Sequence, residues 1–421
     1  MKLFHKMAMA AGVFCAPSLA AAEYYSYGAP ATLPAPAYQV RPLAYNGEET
    51  LHAPAPSALP ANEGYAPNAP YFDNALSGNG GGGCSSCNGG DCGTGDYMGG
   101  YEDCCSCGPS WYGSFAALYM QRNRPNPYQV SFDTLDPVGE LLLNVDSLSE
   151  WQPGFEVRVG KYLCCNSAVE LGYWTLDNFG GTALAFDPVG AGSLNTPFDF
   201  RSLNFNGVPV TDLFDGAQAH RLSRSDEFHN VEINFVNFPM SCNPCSRMQA
   251  SWLAGFRYIN FRENWQLASA DTSPDFGVDP ANEAYWNIRT ENNLYGLQLG
   301  GRGSYCVTQH LSVYAAPRAG VFLNNASQRT WIEDGNGLSA LDIASNRNIF
   351  SIVAQLDVGV NYQVTPCVGI FGGYRIMAIS GIALADEQVP YLQDDQFGIS
   401  DIDHNSNLVL SGFMGGVTVT F

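Results

Sequence analysis

Phe413-Met414-Gly415-Gly416-Val417-Thr418-Val419-Thr420-Phe421 closes the chain, and these last residues say most about how the rest is built. Counted back by twos, Phe421, Val419, Val417, Gly415 and Phe413 share one face, while Thr420, Thr418, Gly416 and Met414 share the other. Period-two alternation is the mark of a strand with one face in an apolar medium. A terminus ordinarily frays and carries polar residues. One that stops on an aromatic inside a strand has to be tied down, and closing a barrel does so by pairing the last strand with the first.

The opposite end suits the same compartment. Lys2 and Lys6 precede a short apolar run, Met7 to Phe14, and Ala20-Ala21-Ala22 supplies small residues before Glu23. This is expected to be a secretory signal peptide over 1–22, because the apolar run is too short to span a membrane. Cys15 follows Gly12-Val13-Phe14, a poor context for lipidation. Later in the chain no apolar stretch approaches the ~18 residues of a membrane helix. A membrane-embedded mature chain would therefore have to be a closed barrel, where strands satisfy each other's backbone groups.

The formal charge of −21 excludes nucleic acid as a partner, since phosphate binding needs clustered Lys and Arg, and Lys161 is the only lysine beyond the signal segment. Clustered acids such as Asp386, Glu387, Asp394, Asp395, Asp401 and Asp403 read as solvated loop residues; divalent-cation binding is the sharper alternative. Residues 23–83 are rich in Pro, Ala and Gly without helix or strand periodicity, the composition of an extended, disordered spacer. Residues 84–110 form a cysteine-rich segment.

From Trp111 the texture changes to long alternating runs. In the clearest, Phe350, Ile352, Ala354, Leu356, Val358, Val360 and Tyr362 face one way, and Ser351, Val353, Gln355, Asp357, Gly359, Asn361 and Gln363 the other. A soluble sandwich alternates too, but with shorter strands. Strands are expected at Tyr112–Gln121, Gly154–Leu163, Ala168–Leu176, Asn230–Phe238, Gln249–Phe261, Asn293–Tyr305, Leu311–Asn324, Ile349–Gln363, Val368–Ile379 and Asn407–Phe421. Connections alternate between short and long, as in outer-membrane barrels with periplasmic turns and outer loops. The fold class is all-β: a transmembrane antiparallel up-and-down barrel of about ten strands over 111–421, behind a disordered N-terminal tail. Twelve strands are the alternative if Asp177–His229 hides a hairpin. Tyr162, Trp252, Tyr362 and Phe421 are expected in interfacial aromatic girdles.

The terminal Phe421, with Phe413 eight residues earlier, resembles the C-terminal signature of bacterial outer-membrane barrels. More specifically, the chain resembles the planctomycetal putative β-barrel porins. The resemblance is carried by Trp111-Tyr112, Asn293-Leu294-Tyr295-Gly296-Leu297-Gln298-Leu299-Gly300, Val358-Gly359-Val360-Asn361-Tyr362-Gln363-Val364-Thr365, Gly372-Gly373-Tyr374-Arg375 and the terminal strand. It implies an outer-membrane location with a periplasmic tail, and a terminal strand (Phe413, Val417, Val419, Phe421) read by the barrel-assembly machinery.

Cysteine placement is the most unusual local signal. Cys84, Cys87, Cys92, Cys104, Cys105 and Cys107 cluster before the barrel, and Cys164, Cys165, Cys242, Cys245, Cys306 and Cys367 fall at short turns. If those turns are periplasmic, all twelve thiols share one oxidising space and become disulfide candidates, within the chain or to a cell-wall or other Cys-rich protein. Zinc at Cys84-Ser85-Ser86-Cys87 lacks a matching second pair, and Cys242-Asn243-Pro244-Cys245 lacks the helix that a redox pair needs. Unpaired structural thiols are the plain alternative. No metal and no cofactor is expected.

By strand parity Glu156, Arg158, Glu170, Glu232, Arg257, Arg302, Arg318, Asp357 and Arg375 point into the barrel. Charges of both signs in a narrow lumen should pair. They make either an ion-selective constriction or a plug, since small barrels fill with side chains. A rim-located hydrolase would need Asp401, Asp403 and His404 to converge with His229 or His220. The sequence therefore points to a small outer-membrane porin with a charged lumen for passive solute passage, and not to an enzyme. Its alternative is a structural barrel anchoring the membrane to the wall through the cysteine-rich tail.

Overall fold

The computed structural model describes residues 111–421 except 126, 136–139, 149–150, 165–166, 188–189, 191, 239–247, 309, 366 and 391–395. The expected signal peptide, spacer and cysteine-rich segment lie outside the described residues. Ten long strands form the barrel: β1 Trp111–Arg122, β2 Gln152–Cys164, β3 Ser167–Leu176, β4 Ala219–Asn237, β5 Met248–Ala270, β6 Glu283–Cys306, β7 Leu311–Asp334, β8 Ser339–Thr365, β9 Val368–Ile382 and β10 Ser406–Thr420. Each pairs antiparallel with its sequence neighbours, and β1 pairs with β10, so the sheet has closed. At the seam Tyr112 lies opposite Thr420, and Trp111 and Phe421 exchange two backbone hydrogen bonds of 2.9 Å.

All ten expected strands are present, but five run well past their expected ends. The stretches Arg262–Asn292 and Asn325–Asn348, expected as loops, are mostly strand: β5 and β6 continue to a turn at 271–282, and β7 and β8 to one at 335–338. These hairpins stand beyond the apolar belt, where the outward residues Arg262, Asn264 and Gln266 are polar. Of the short strands in the Asp177–His229 stretch, only Thr182–Phe186 joins the barrel sheet among the described residues, pairing with β4 at Ala219–Ser223, so the barrel keeps ten strands and not twelve.

Below those extensions the outward face is apolar. On β7, Val313, Ala315, Pro317, Ala319, Val321 and Leu323 point out, and on β8 Ile352, Leu356, Val358, Val360 and Tyr362 do. At ~3.4 Å per residue and the usual tilt of barrel strands, the β7 run covers roughly 25 Å, the height of a membrane-spanning belt. Aromatics mark both margins. Tyr119, Trp151 and Phe413 stack toward the loop end, while Trp111, Tyr305, Tyr362 and Phe421 are exposed at the turn end. Tyr162 departs from expectation. Its even number puts it on the same side of β2 as Glu156 and Arg158, and it packs inward on Tyr112 at 5.1 Å.

Candidate functional site

The barrel interior is built in layers that can be read along one strand. The inward side chains of β4, from turn end to loop end, include Val236, Glu232, Phe228, Asp226, Arg224, Leu222 and His220. On β5 they include Leu253, Arg257, Ile259, Phe261, Glu263, Trp265 and Leu267. The order is the same in both: apolar, charged, apolar, charged, apolar.

The first layer is an aromatic seal at the turn end, where Tyr112, Ala168, Val236, Phe238 and Leu253 pack together with Tyr162. Above it lie all nine inward charges expected from parity, each buried. Arg158 bonds Glu156 at 2.6 Å and Glu170 at 2.8 Å. Arg375 bonds Glu156 at 2.6 Å and grips Asp357 through two nitrogens at 2.8 and 3.0 Å. Glu232 is a hub, with Arg318 at 3.0 Å and Arg158 and Arg257 both at 3.7 Å. Neutral groups complete the coordination: Gln298 donates to Glu232 at 3.1 Å, and Arg257 donates to Asn230 at 2.6 Å and Gln355 at 2.8 Å. Charges this deep persist only when paired and hydrogen-bonded. Arg302 stands apart, its guanidinium 3.9 Å from the Tyr314 ring centroid. Tyr314 has room because Gly359 and Gly373 lie beneath its hydroxyl; a β-carbon there would meet it at 2.8 and 3.0 Å.

The third layer is apolar and crosses the barrel with Met120, Trp174, Phe228, Phe261, Leu294, Phe322, Val353, Met377 and Leu410. The fourth was missed from sequence. Arg122 bonds Asp226 at 2.5 Å and Glu263 at 2.9 Å, and Arg224 lies 3.3 Å from Glu263 and 3.8 Å from Asp386. Asp386 comes from the 383–405 loop, which is pinned where Ala385 donates its backbone N–H to Glu263 at 2.7 Å and Asn292 exchanges two bonds with Ala383. Burial opposes ionisation of Glu263, but Arg122 and Arg224 outweigh it and hold that carboxyl below its usual range. Burial pushes its cross-strand neighbour Asp226 up to about 6 despite Arg122, and the Glu263 charge adds to the push. The parity of β4 and β5, continued past their expected ends, would have found these residues.

The last layer caps the loop end. Trp265 and Trp286 meet edge to face at 5.1 Å, and Phe200 stacks on Phe214 at 4.7 Å. Loop residues Val130, Leu142, Val210 and Ile399 fill the same cluster. His220 is buried here, its ring nitrogens 2.7 Å from the Ser131 hydroxyl and 3.0 Å from the Phe214 carbonyl. Burial pushes its imidazole down to about 4, against the pull of that carbonyl.

The residues that a rim hydrolase would use are not brought together. Asp401 pairs with Arg347 at 2.9 Å, the His404 ring turns to the Ile402 carbonyl, and the Asp403 backbone pairs with Gln388. His229 stacks with Tyr173 on the outer face, and His220 lies in the cap. Phe413, Val417, Val419 and Phe421 are exposed on the outward face of the closing strand. Of the turn cysteines, Cys165, Cys242 and Cys245 lie outside the described residues, as do the six of 84–107. Cys164 ends β2 and Cys306 ends β6. The Cys367 thiol is free and exposed beside the seam, where its carbonyl accepts the Thr420 N–H at 3.0 Å. Among the described residues no cluster of three or more His, Cys, Asp or Glu is placed to hold a metal ion.

Comparisons with known proteins follow the barrel. The outer membrane protease OmpT of Escherichia coli is similar over 74% of this chain and 97% of its own, at 12% identity and a TM-score of 0.38. The translocator domain of the autotransporter NalP from Neisseria meningitidis covers 75% of this chain and 89% of its own, at 8% identity and a TM-score of 0.32. The toluene transporter TodX of Pseudomonas putida covers 74% and 90%, at 10% identity and a TM-score of 0.30. No curated protein matches the chain. Residues 140–400, more than half the sequence, match the family model described as Putative beta barrel porin-7. With its closed ten-stranded barrel and outward apolar belt, this chain belongs to the Putative beta barrel porin-7 family and is an outer-membrane β-barrel protein.

Proposed function

We propose that this protein is a structural barrel, closed to solutes at rest, which anchors the outer membrane to the layer beneath it through its cysteine-rich segment. The carrying observation is the filled interior: two apolar layers, a buried charged layer between them in which all but Arg302 are ion-paired, and a loop cap above. Porins with an aqueous channel are wider barrels of sixteen or more strands, whereas small ones fill with side chains. The turn end is assigned to the periplasm, where barrels carry their short connections. Cys107 precedes Trp111 by four residues, at most ~14 Å of extended chain, so a link from Cys107 to a cysteine at the turn end such as Cys367 is within reach. Outer-membrane lipid contacts the belt, and the assembly machinery reads the strand ending in Phe421.

A second reading, passive passage of small solutes, is favoured by the family's porin description and by the Arg surplus of the charged layer nearer the turn end. Passage would require the apolar layer to part. The separated Asp and His residues favour a non-enzymatic role over a rim hydrolase.

Conductance of the purified full chain in a planar bilayer separates the two readings. The closed barrel is expected to give no stable conductance steps; steady ohmic steps from the wild type would overturn it in favour of passage. Anchoring is tested by non-reducing peptide mapping. A link from 84–107 to a turn cysteine or to a second protein is expected, and finding all twelve thiols free would remove the tether.

A further inference from the structure

The charged layer does not balance. Arg158, Arg257, Arg302, Arg318 and Arg375 are five cations, against the four anions Glu156, Glu170, Glu232 and Asp357. Four of the arginines reach a carboxylate, and Asp357 and Glu170 are already engaged, by Arg375 and Arg158. Arg302 has no ion pair among the described residues. It is 8% exposed, and its Nε and Nη2 are buried without a hydrogen-bond partner. Those two nitrogens lie along one edge of the guanidinium, the edge that donates two parallel N–H groups to a planar pair of oxygens. Stacking on Tyr314 occupies the face of the group and leaves that edge free.

The surroundings favour an anion that arrives from the turn end. On the β1 to β5 side that end is closed by Tyr112, Tyr162, Phe238 and Leu253. On the β6 to β10 side the inward positions are mostly polar, Ser304, Ser312, Asn361, Thr418 and Thr420, with Phe371 among them. The Asn361 amide nitrogen is also buried without an acceptor. A buried charge left unpaired is costly, so a bound anion at this edge would both satisfy the donors and neutralise the layer.

We propose that the Nε/Nη2 edge of Arg302 is a binding site for an oxyanion, a carboxylate or phosphate group entering from the turn end. The inference does not depend on whether the barrel conducts, because it concerns occupancy of a site within the closed layer.

The test is titration of the purified full chain in detergent by calorimetry with sodium phosphate, sodium acetate and sodium chloride as separate arms. Saturable binding of phosphate or acetate is expected, and the arm that binds more tightly identifies the group. Arg302→Gln should weaken it by about tenfold or more, the scale of two charge-assisted hydrogen bonds. Arg302→Lys, which keeps the charge but loses the fork, should fall between. Arg289→Gln, on the outer face of β6 opposite Arg329, should leave the affinity unchanged. Arginine side-chain nitrogen NMR on the wild type covers the case in which a variant fails to fold: the Arg302 Nε resonance should shift and saturate with the binding anion. Binding of chloride alone, no saturable binding in any arm, or oxyanion affinity unaltered by Arg302→Gln would overturn the proposal. So would an Arg302 Nε signal insensitive to both oxyanions; water would then fill the edge.

Discussion

The barrel carries two buried charged clusters separated by one apolar layer, and they are built on opposite plans. In the cluster nearer the turn end every charge comes from the wall, arginines outnumber carboxylates, and one glutamate serves three arginines. In the other, Arg122 and Arg224 face Asp226, Glu263 and Asp386, and the third acid is delivered by a loop. The wall cluster is therefore a rigid element of the barrel. The loop cluster holds a surplus of acid, part of which is pushed toward protonation by burial, so its charge depends on pH and on the loop being seated. Similar residues at similar depth thus give a fixed plug in one place and a titratable latch in the other.

The largest expected effect removes the hub. Glu232→Ala leaves three arginines without their shared carboxylate and should cost about 3–5 kcal/mol, the penalty for breaking a buried pair from one side. The shift in the denaturant midpoint of the folded, heat-modifiable form measures it. A loss under about 1 kcal/mol would mean that the wall cluster is as adaptable as the loop cluster, and the contrast would fail.

The cap should show the next effect. His220 is neutral in the fold because burial lowers its affinity for a proton to a pKa of about 4. The unfolded chain binds that proton near pH 6.5, so the stability His220 contributes is complete above about 6.5 and is lost as pH falls toward 4. The loss should reach about 2–3 kcal/mol at full extent, and His220→Asn should flatten it. Proteolysis of the 177–218 segment, followed across that window, is the readout. An identical pH profile in the variant would show that the cap does not sense the histidine.

The smallest effect runs the other way. The Asp226 carboxyl is pushed up to about 6 by burial, so its favourable, protonated form is lost as pH rises through 6. Asp226→Asn keeps an acceptor for Arg122 and removes the charge. It should raise stability above pH 6 by about 1 kcal/mol and leave it nearly unchanged at pH 4. Destabilisation at high pH would show that Asp226 is needed as a charge and would make the two clusters alike.

The belt was the legible part of this chain. Where the outward face meets an apolar medium, residues such as Ile352, Leu356 and Val358 alternate with Ser351, Gln355 and Asp357, and both strand and facing follow. The nine wall charges were legible for the same reason. Beyond the belt the outward face turns polar, and the period alone stops marking strand near Phe261, Asn293, Asn324 and Ile349. The alternation in fact continues with Glu263, Trp265 and Leu267 inward and Arg262, Asn264 and Gln266 outward. Only the solvent on the outside had changed. The loop contribution of Asp386 was not legible at all, because a tertiary contact rather than a period places it. For Tyr162 residue type points to the interface, whereas strand parity puts it inside, where the fold places it.

The seam between β1 and β10 sets the order of events in the life of the chain. Tyr112 and Thr420 are paired although they are separated by nearly the whole barrel sequence, so the contact cannot exist until β10 has been made. Contacts this distant in sequence are slow to form, and until this one closes the sheet presents two bare edges able to pair with any other strand. The finished ring has neither edge, and opening it means breaking a ladder of eleven residue pairs rather than fraying an end. Its persistence is thus a matter of rate, set at the one place where the chain meets itself.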